Sequence, residues 1–87
     1  MSEDFYFVYV LYSEKDDGFY TGYTSDLRKR IEAHQAGKVR STKHRLPLVL
    51  VYYEACRHQQ DATHREQYLK TTYGKRYLRN RMKRYFE

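Results

Sequence analysis

The chain has one cysteine, one proline and no tryptophan among its 87 residues. A lone cysteine, Cys56, excludes an internal disulfide and suits a reducing compartment such as the cytoplasm. Joined only by four scattered histidines, it cannot supply a tetrahedral zinc site of the usual spacing. No apolar run approaches the roughly 20 residues that span a bilayer. The opening residues, Met-Ser-Glu-Asp, are acidic, whereas a secretory signal starts with positive charge. Repeats, linkers and low-complexity tracts are missing too. The expectation is one cytoplasmic domain over residues 1–87, not associated with a membrane, with room for one core and one site.

What is plentiful is positive charge and tyrosine. The net charge is +6, and it is unevenly spread: residues 1–24 carry −4, residues 25–47 carry +5, residues 48–73 are neutral and residues 74–87 carry +5. Two basic blocks on so small a domain can attract a polyanion such as nucleic acid, or can serve only to solubilise the surface. The eleven tyrosines do not decide between these. A tyrosine packs in cores, stacks on bases and donates to phosphate equally well.

Hydrophobic patterning predicts an α+β domain. FYFVYVLY, residues 5–12, is a continuous apolar and aromatic run, read as a strand covered on both faces. Asp17-Gly18 supplies a hairpin turn, and Phe19 to Thr24 returns as a second strand. Thr24 or Ser25 can cap a helix that has Asp26 at its positive end and stops at Gly37. KVRSTKHRLP is a polar loop without periodicity. A third strand follows within LVLVYYEA, over residues 48–54. A helix from about Asp61 to Thr72 ends where Gly74 breaks it, and a basic helix runs on towards Phe86. The order is ββαβαα. The helix after the second strand returns the chain, so the third strand runs parallel to the second. In an antiparallel sheet it must then pair with the first, giving the order 2-1-3 with the most apolar strand central.

The helix periodicities contain a conflict. Leu27, Arg30, Ile31 and His34 share one helical face, and so do Ala62, Glu66, Leu69 and Tyr73. An arginine, a histidine and a glutamate on core-facing stripes must pair with one another, sit in a solvated cleft, or bind something. A structural Arg30–Glu66 ion pair is the plain reading. Against it stand Tyr9 in the middle of the central strand, Tyr20 in its hairpin partner, and Gly22 inside a strand. Glycine is weakening there unless a backbone or ligand comes close. These residues suit phosphodiester hydrolysis. Arginine stabilises charge on phosphoryl oxygens, a carboxylate holds Mg²⁺ or Mn²⁺, and tyrosine or histidine orients or deprotonates a water.

On these residues the chain resembles the GIY-YIG nuclease superfamily, in its small stand-alone bacterial form; it is also similar to the N-terminal nuclease module of the bacterial excision-repair incision subunit. The first motif corresponds to Phe7-Val8-Tyr9 and the second to Tyr20-Thr21-Gly22. Arg30 follows the second tyrosine by ten residues, His34 comes four later, and Glu66 stands on a following helix within THREQYLK. The likeness runs from Phe5 to about Leu78. Phe7-Val8 replaces the Gly-Ile of the first motif, and Thr21 replaces the Ile of the second. Asn80 is the one candidate for an asparagine that many members carry in the last helical region.

The resemblance implies a metal-dependent DNA endonuclease using a single Mg²⁺ or Mn²⁺, acting in repair, recombination or processing of structured DNA. Glu66 would bind the ion, Arg30 the non-bridging oxygens, and Tyr20 the attacking water as base or positioner. Tyr9 would support Tyr20 by hydrogen bonding. His34 is the alternative base or a partner of Tyr9. A phenol titrates near 10, so a base role needs a cationic setting that favours phenolate. Apart from the resemblance, the charges of Lys38, Arg40, Lys43 and Arg45 in the loop either track the DNA backbone or belong to a plain solvated loop. Lys75 and Arg76 in the last helix would add affinity without reading sequence. With no targeting domain in these residues, specificity would come from this small surface, a homodimer or a partner protein. The contrasting reading is a catalytically weak DNA-binding module acting with a partner enzyme.

Overall fold

A computed structural model describes residues 4–87. Three strands, β1 (Tyr6–Ser13), β2 (Gly18–Thr24) and β3 (Leu48–Cys56), form one sheet. The helices are α1 (Leu27–Gln35), α2 (Gln59–Leu69), α3 (Thr72–Arg81) and the single turn α4 (Lys83–Phe86). The strand order is β2-β1-β3, antiparallel throughout. The expected topology is present, with the most apolar strand in the middle.

Alternation along β1 divides the molecule. Val8 and Val10 face one way, into a core with Ala62 and Leu69 of α2, Leu78 of α3 and Met82. Tyr9 and Leu11 face the other way, against Ile31 of α1 and Leu48 of β3. Each fully buried aliphatic side chain of this kind contributes about 1.5–3 kcal/mol of transfer free energy. The sheet thus lies between α2 and α3 on one side and α1 on the other. A register shift between Val10 and Leu11 in the β1–β3 pairing is the one irregularity of the ladder.

Several boundaries differ from the sequence reading, each for a local reason. Asp26 itself caps α1, accepting from the Lys29 amide at 3.1 Å, while Thr24 Oγ1 accepts from the Asp26 amide at 3.1 Å. The expected cap at Thr24 or Ser25 therefore moves to the acidic residue. Helix α2 starts earlier than Asp61, because His58 Nδ1 accepts from the Gln60 amide and caps it. Gly74 does not break a helix. It lies within the first turns of α3, and the break falls at Lys70–Thr71, where Thr71 Oγ1 caps α3 by accepting from the Gly74 amide. Gly74 is there because α2 and α3 meet at that point. A Cβ on it would collide with the Tyr68 carbonyl oxygen and the Leu69 backbone. The last basic helix is two pieces, α3 and α4, joined at Met82. The loop expected to be irregular contains a 3₁₀ turn, Lys43–Arg45.

Candidate active site

The polar residues of α1 meet the aromatic residues of the hairpin on the α1 side of the sheet. Tyr9 pairs across the ladder with Gly22, and Leu11 with Tyr20, so Tyr20 and Gly22 share the face of Tyr9. Helix α1 presents Arg30 and His34 to that face from successive turns. Gly22 is what lets the group close up. A Cβ there would lie 2.5 Å from the Tyr9 hydroxyl oxygen. The space that a strand glycine leaves is filled by the Tyr9 ring, not held open for a ligand.

Tyr9 and His34 are both sealed, at 1% and 0% exposure. The Tyr9 hydroxyl and His34 Nε2 are 2.8 Å apart, and Arg30 Nε donates to the same hydroxyl at 3.3 Å. The ring of Tyr20 lies against both, with centroids 6.5 Å from Tyr9 and 5.1 Å from His34. The other histidine nitrogen, Nδ1, is 2.8 Å from Thr42 Oγ1. Thr42 is fully buried and makes no side-chain capping bond to the 3₁₀ turn it precedes, so its hydroxyl is free to serve the histidine.

Electrostatics follow from this packing. Burial, then the positive charge of Arg30, push His34 down to about 4. At neutral pH it is an uncharged imidazole with one nitrogen donating and the other accepting. Burial also raises the Tyr9 phenol above its ordinary value, despite the opposing bond from Arg30. Tyr9 therefore keeps its proton near neutrality. Arg30 is held above the usual arginine range, chiefly by its bond to Tyr9, with contributions from Tyr20. It reaches the cluster half-buried and lines a shallow cavity of about 180 Å³ with Thr24, Asp26, Lys29 and Ala33.

Glu66 comes from α2, on the other layer. Its side chain is 15% exposed, and Lys70 Nζ, one turn on, lies 3.0 Å from Oε2. The Arg30–Glu66 pair that periodicity allows is replaced by Arg30 on Tyr9 and Glu66 on Lys70. The Glu66 charge is close enough to add to the rise in Tyr9. Among the described residues no three carboxylate, histidine or cysteine side chains gather around a common point. A single carboxylate still suits Mg²⁺ or Mn²⁺, which keep several waters and take their remaining oxygens from substrate phosphate.

The basic residues divide. Lys38, Arg40, Lys43, Lys75 and Arg76 are exposed, and the Arg76 guanidinium lies 5.5 Å from the centroid of the Tyr73 ring. Arg45 is engaged with the hairpin turn, 2.6 Å from Asp16 Oδ2. Asn80 lies exposed on α3. Two participants carry no signal in the sequence. Thr42 sits in a loop without periodicity, and Lys70 reads as an ordinary helix lysine.

Comparisons with known proteins agree with this architecture. The GIY-YIG catalytic domain family matches residues 5–83. The UPF0213 protein SH2523 of Staphylococcus haemolyticus (strain JCSC1435) is 43% identical over 67 residues, 76% of this chain and 80% of that protein. The UPF0213 protein CPE1444 of Clostridium perfringens (strain 13 / Type A) is 43% identical over 65 residues, 74% of this chain and 69% of the relative. The solution NMR structure of the UPF0213 protein BH0048 from Bacillus halodurans superposes with a TM-score of 0.53 at 35% identity, covering 85% of this chain and 81% of the other. No helix among the described residues is long and apolar enough to cross a membrane. With the family matched over residues 5–83, nearly all its length, this chain belongs to the GIY-YIG family of nuclease-type catalytic domains.

Proposed function

We propose that the protein is a divalent-metal-dependent DNA endonuclease of the cytoplasm, acting on structured DNA in repair, recombination or processing. The observation that carries this reading is the cluster of Tyr9, Tyr20, Arg30 and His34 closed around Gly22. The Arg30 guanidinium at the edge of an open depression suits a phosphate oxygen, and half-buried Tyr20 a water, with sealed Tyr9 bonded to Arg30 behind them.

Arg30 faces the non-bridging oxygens of the scissile phosphate and stabilises the charge that builds there. Its bonds to the tyrosines fix its orientation before substrate arrives, which lowers the entropic cost of the encounter. Tyr20, the less buried phenol, positions the attacking water, or takes its proton once it has given up its own proton to solvent beside Arg30. Tyr9 keeps its own proton and serves as a hydrogen-bond partner to Arg30 and His34. In this reading His34 orients Tyr9 instead of acting as the base, since both of its nitrogens face hydroxyls. Glu66, paired with Lys70 here, is the residue that would hold one Mg²⁺ or Mn²⁺. When bound, the ion supplies Lewis-acid stabilisation of the phosphate and of the leaving 3′ oxygen. Lys38, Arg40, Lys43, Lys75 and Arg76 contact the DNA backbone, Arg45 only once released from Asp16. A homodimer or partner protein supplies further specificity.

The Glu66–Lys70 pair favours a second reading, a catalytically weak DNA-binding module that acts with a partner enzyme. One experiment separates the two. Purified protein is incubated with flap, junction, nicked and single-stranded DNAs, with and without Mn²⁺. Metal-dependent cuts that vanish in Tyr20→Phe, with melting temperature unchanged, are expected. Binding without cutting on every substrate would leave the module.

A further inference from the structure

The sheet face that carries the tyrosine cluster continues past it. Phe7 is two residues before Tyr9 on β1 and so points the same way. Tyr53 is the cross-strand partner of Tyr9 on β3, which places Gly22, Tyr9 and Tyr53 in one row across all three strands. The Phe7 and Tyr53 rings touch, with centroids 6.1 Å apart, yet Tyr53 is 53% exposed. Ala55, opposite Phe7, is exposed and leaves that ring only half covered. The Arg57 guanidinium lies 5.2 Å from the Phe5 ring centroid at the end of the same strands. On the other side Phe7 pairs with Thr24, which lines the depression beside Arg30. The result is an aromatic shelf, continuous with the candidate site and flanked by arginines.

We propose that this shelf stacks an unpaired nucleotide of the substrate strand next to the scissile phosphate, so that the preferred substrate is a duplex interrupted by a single-stranded segment at the cut. The position beside the cut rests on the nuclease reading above. Bases inside a duplex keep their faces covered by their neighbours; only an unstacked base can present one to an exposed ring. The flanking cations match the phosphates on either side of such a base. A second copy of the chain fits less well. One open ring, a half-covered one and a methyl fall far short of the roughly 800 Å² per partner of a stable interface, and two copies each carrying +6 repel.

The test measures binding of the full chain in EDTA, where nothing is cut, to a blunt duplex and to the same duplex with a short single-stranded tail. The wild type should prefer the tailed DNA. Tyr53→Ala should weaken tailed binding by about five- to a hundredfold, the range for losing one base–aromatic stack. Blunt binding should stay within about twofold. Tyr53→Phe keeps the ring and should keep the preference. Tyr53→Leu keeps apolar bulk without the ring and should lose it, which covers the case in which alanine unfolds the sheet. Equal losses on both DNAs, or none on the tailed one, overturn the proposal. So does a dimer in sedimentation that Tyr53→Ala dissolves, because the shelf would then belong to a second copy. A Tyr53-dependent tail preference in a protein that cuts no DNA with Mn²⁺ would support the shelf and sink the nuclease reading alone.

Discussion

The two faces of the sheet are made from alternate residues of the same strand, yet they are built on opposite principles. Behind Val8 and Val10 lie apolar side chains from α2, α3 and Met82, with buried Thr21 beside Val10, and at the rim Arg65 forms a two-pronged pair with Glu54. Behind Tyr9 lie a histidine and a threonine as deeply buried as any leucine, and a half-buried arginine. Burying such groups costs free energy unless each finds a partner, and here each does: no buried side-chain polar atom among the described residues is without one. The first face stabilises the fold and the second tolerates chemistry. Strand alternation lets one eight-residue segment serve both.

If that division is real, chemistry and stability should break separately, with Glu66 the one site candidate carried by α2 of the first layer. Glu66→Ala is the largest expected effect: cleavage falls by on the order of a thousandfold or more, as removal of a metal ligand and its transition-state stabilisation would require. DNA binding stays intact or tightens slightly, because a negative charge near phosphate is gone. Stability changes little, since an i,i+4 pair with an exposed lysine contributes only tenths of a kcal/mol. Leu78→Ala is the mirror experiment. Leu78 is fully buried, and its truncation should cost about 2–5 kcal/mol by chemical denaturation, with the cleavage rate of the folded fraction preserved. Should Glu66→Ala unfold the protein while the parent cuts nothing, the carboxylate belongs to the scaffold and the division fails.

The two close-packed glycines sharpen the same contrast. Gly74→Ala drives a methyl into the α2–α3 backbone, where nothing can yield, and should cost several kcal/mol of stability. Gly22→Ala drives one against the Tyr9 hydroxyl, which is the end of a side chain and can move. Its expected signature is an activity loss on the order of a hundredfold, with a smaller stability loss than Gly74→Ala. Melting curves of the two variants, set beside their cleavage rates, check the ordering.

The sheet order was legible because it followed from connectivity: a helix after β2 leaves β3 only one antiparallel partner. The core-facing conflict in α1 was legible too, since Arg30 and His34 share a stripe with Leu27 and Ile31. The partners of those residues were not. Whether Arg30 meets Glu66 or Tyr9 depends on which layer α2 occupies, and a period of 3.6 says nothing about layers. Thr42 was hidden in a segment whose only local pattern is polarity. Gly74 looked like a helix breaker because composition cannot distinguish a glycine that ends a helix from one that lets two helices touch.

Titration offers a smaller, directional test. His34 is held near 4 in the folded protein against about 6.5 in an unfolded chain. Between these values the unfolded state binds more protons, so stability rises with pH across that window. The benefit is fully present above about 6.5 and is lost as pH falls towards 4. Its size is on the order of 1–3 kcal/mol. Asp16 and Glu54, each held low by an arginine, also lose stabilisation in acid, so the wild-type curve alone is not diagnostic. The informative quantity is the difference in slope between the wild type and His34→Gln, which removes the titrating group. A shallower slope for the variant from pH 6.5 to 4 is expected; parallel curves would mean that His34 protonates freely in the fold.

The smallest expected effect compares the two basic blocks. Lys75 and Arg76 stand exposed on α3, whereas Arg45 of the loop is already paired with Asp16. If both α3 cations contact duplex phosphate, replacing them with glutamine should flatten the dependence of log affinity on log salt by about 1.8, at roughly 0.9 per phosphate. The change should be the same for unrelated sequences, because phosphate contacts position the protein without reading bases. Arg45→Gln should alter the slope less, since the wild-type guanidinium must first leave Asp16. Binding titrations at several salt concentrations measure all three slopes. An Arg45→Gln slope change as large as that of the double variant would show that the hairpin ion pair opens on DNA. An unchanged slope in the double variant would remove α3 from the DNA surface and leave the loop block to hold the backbone alone.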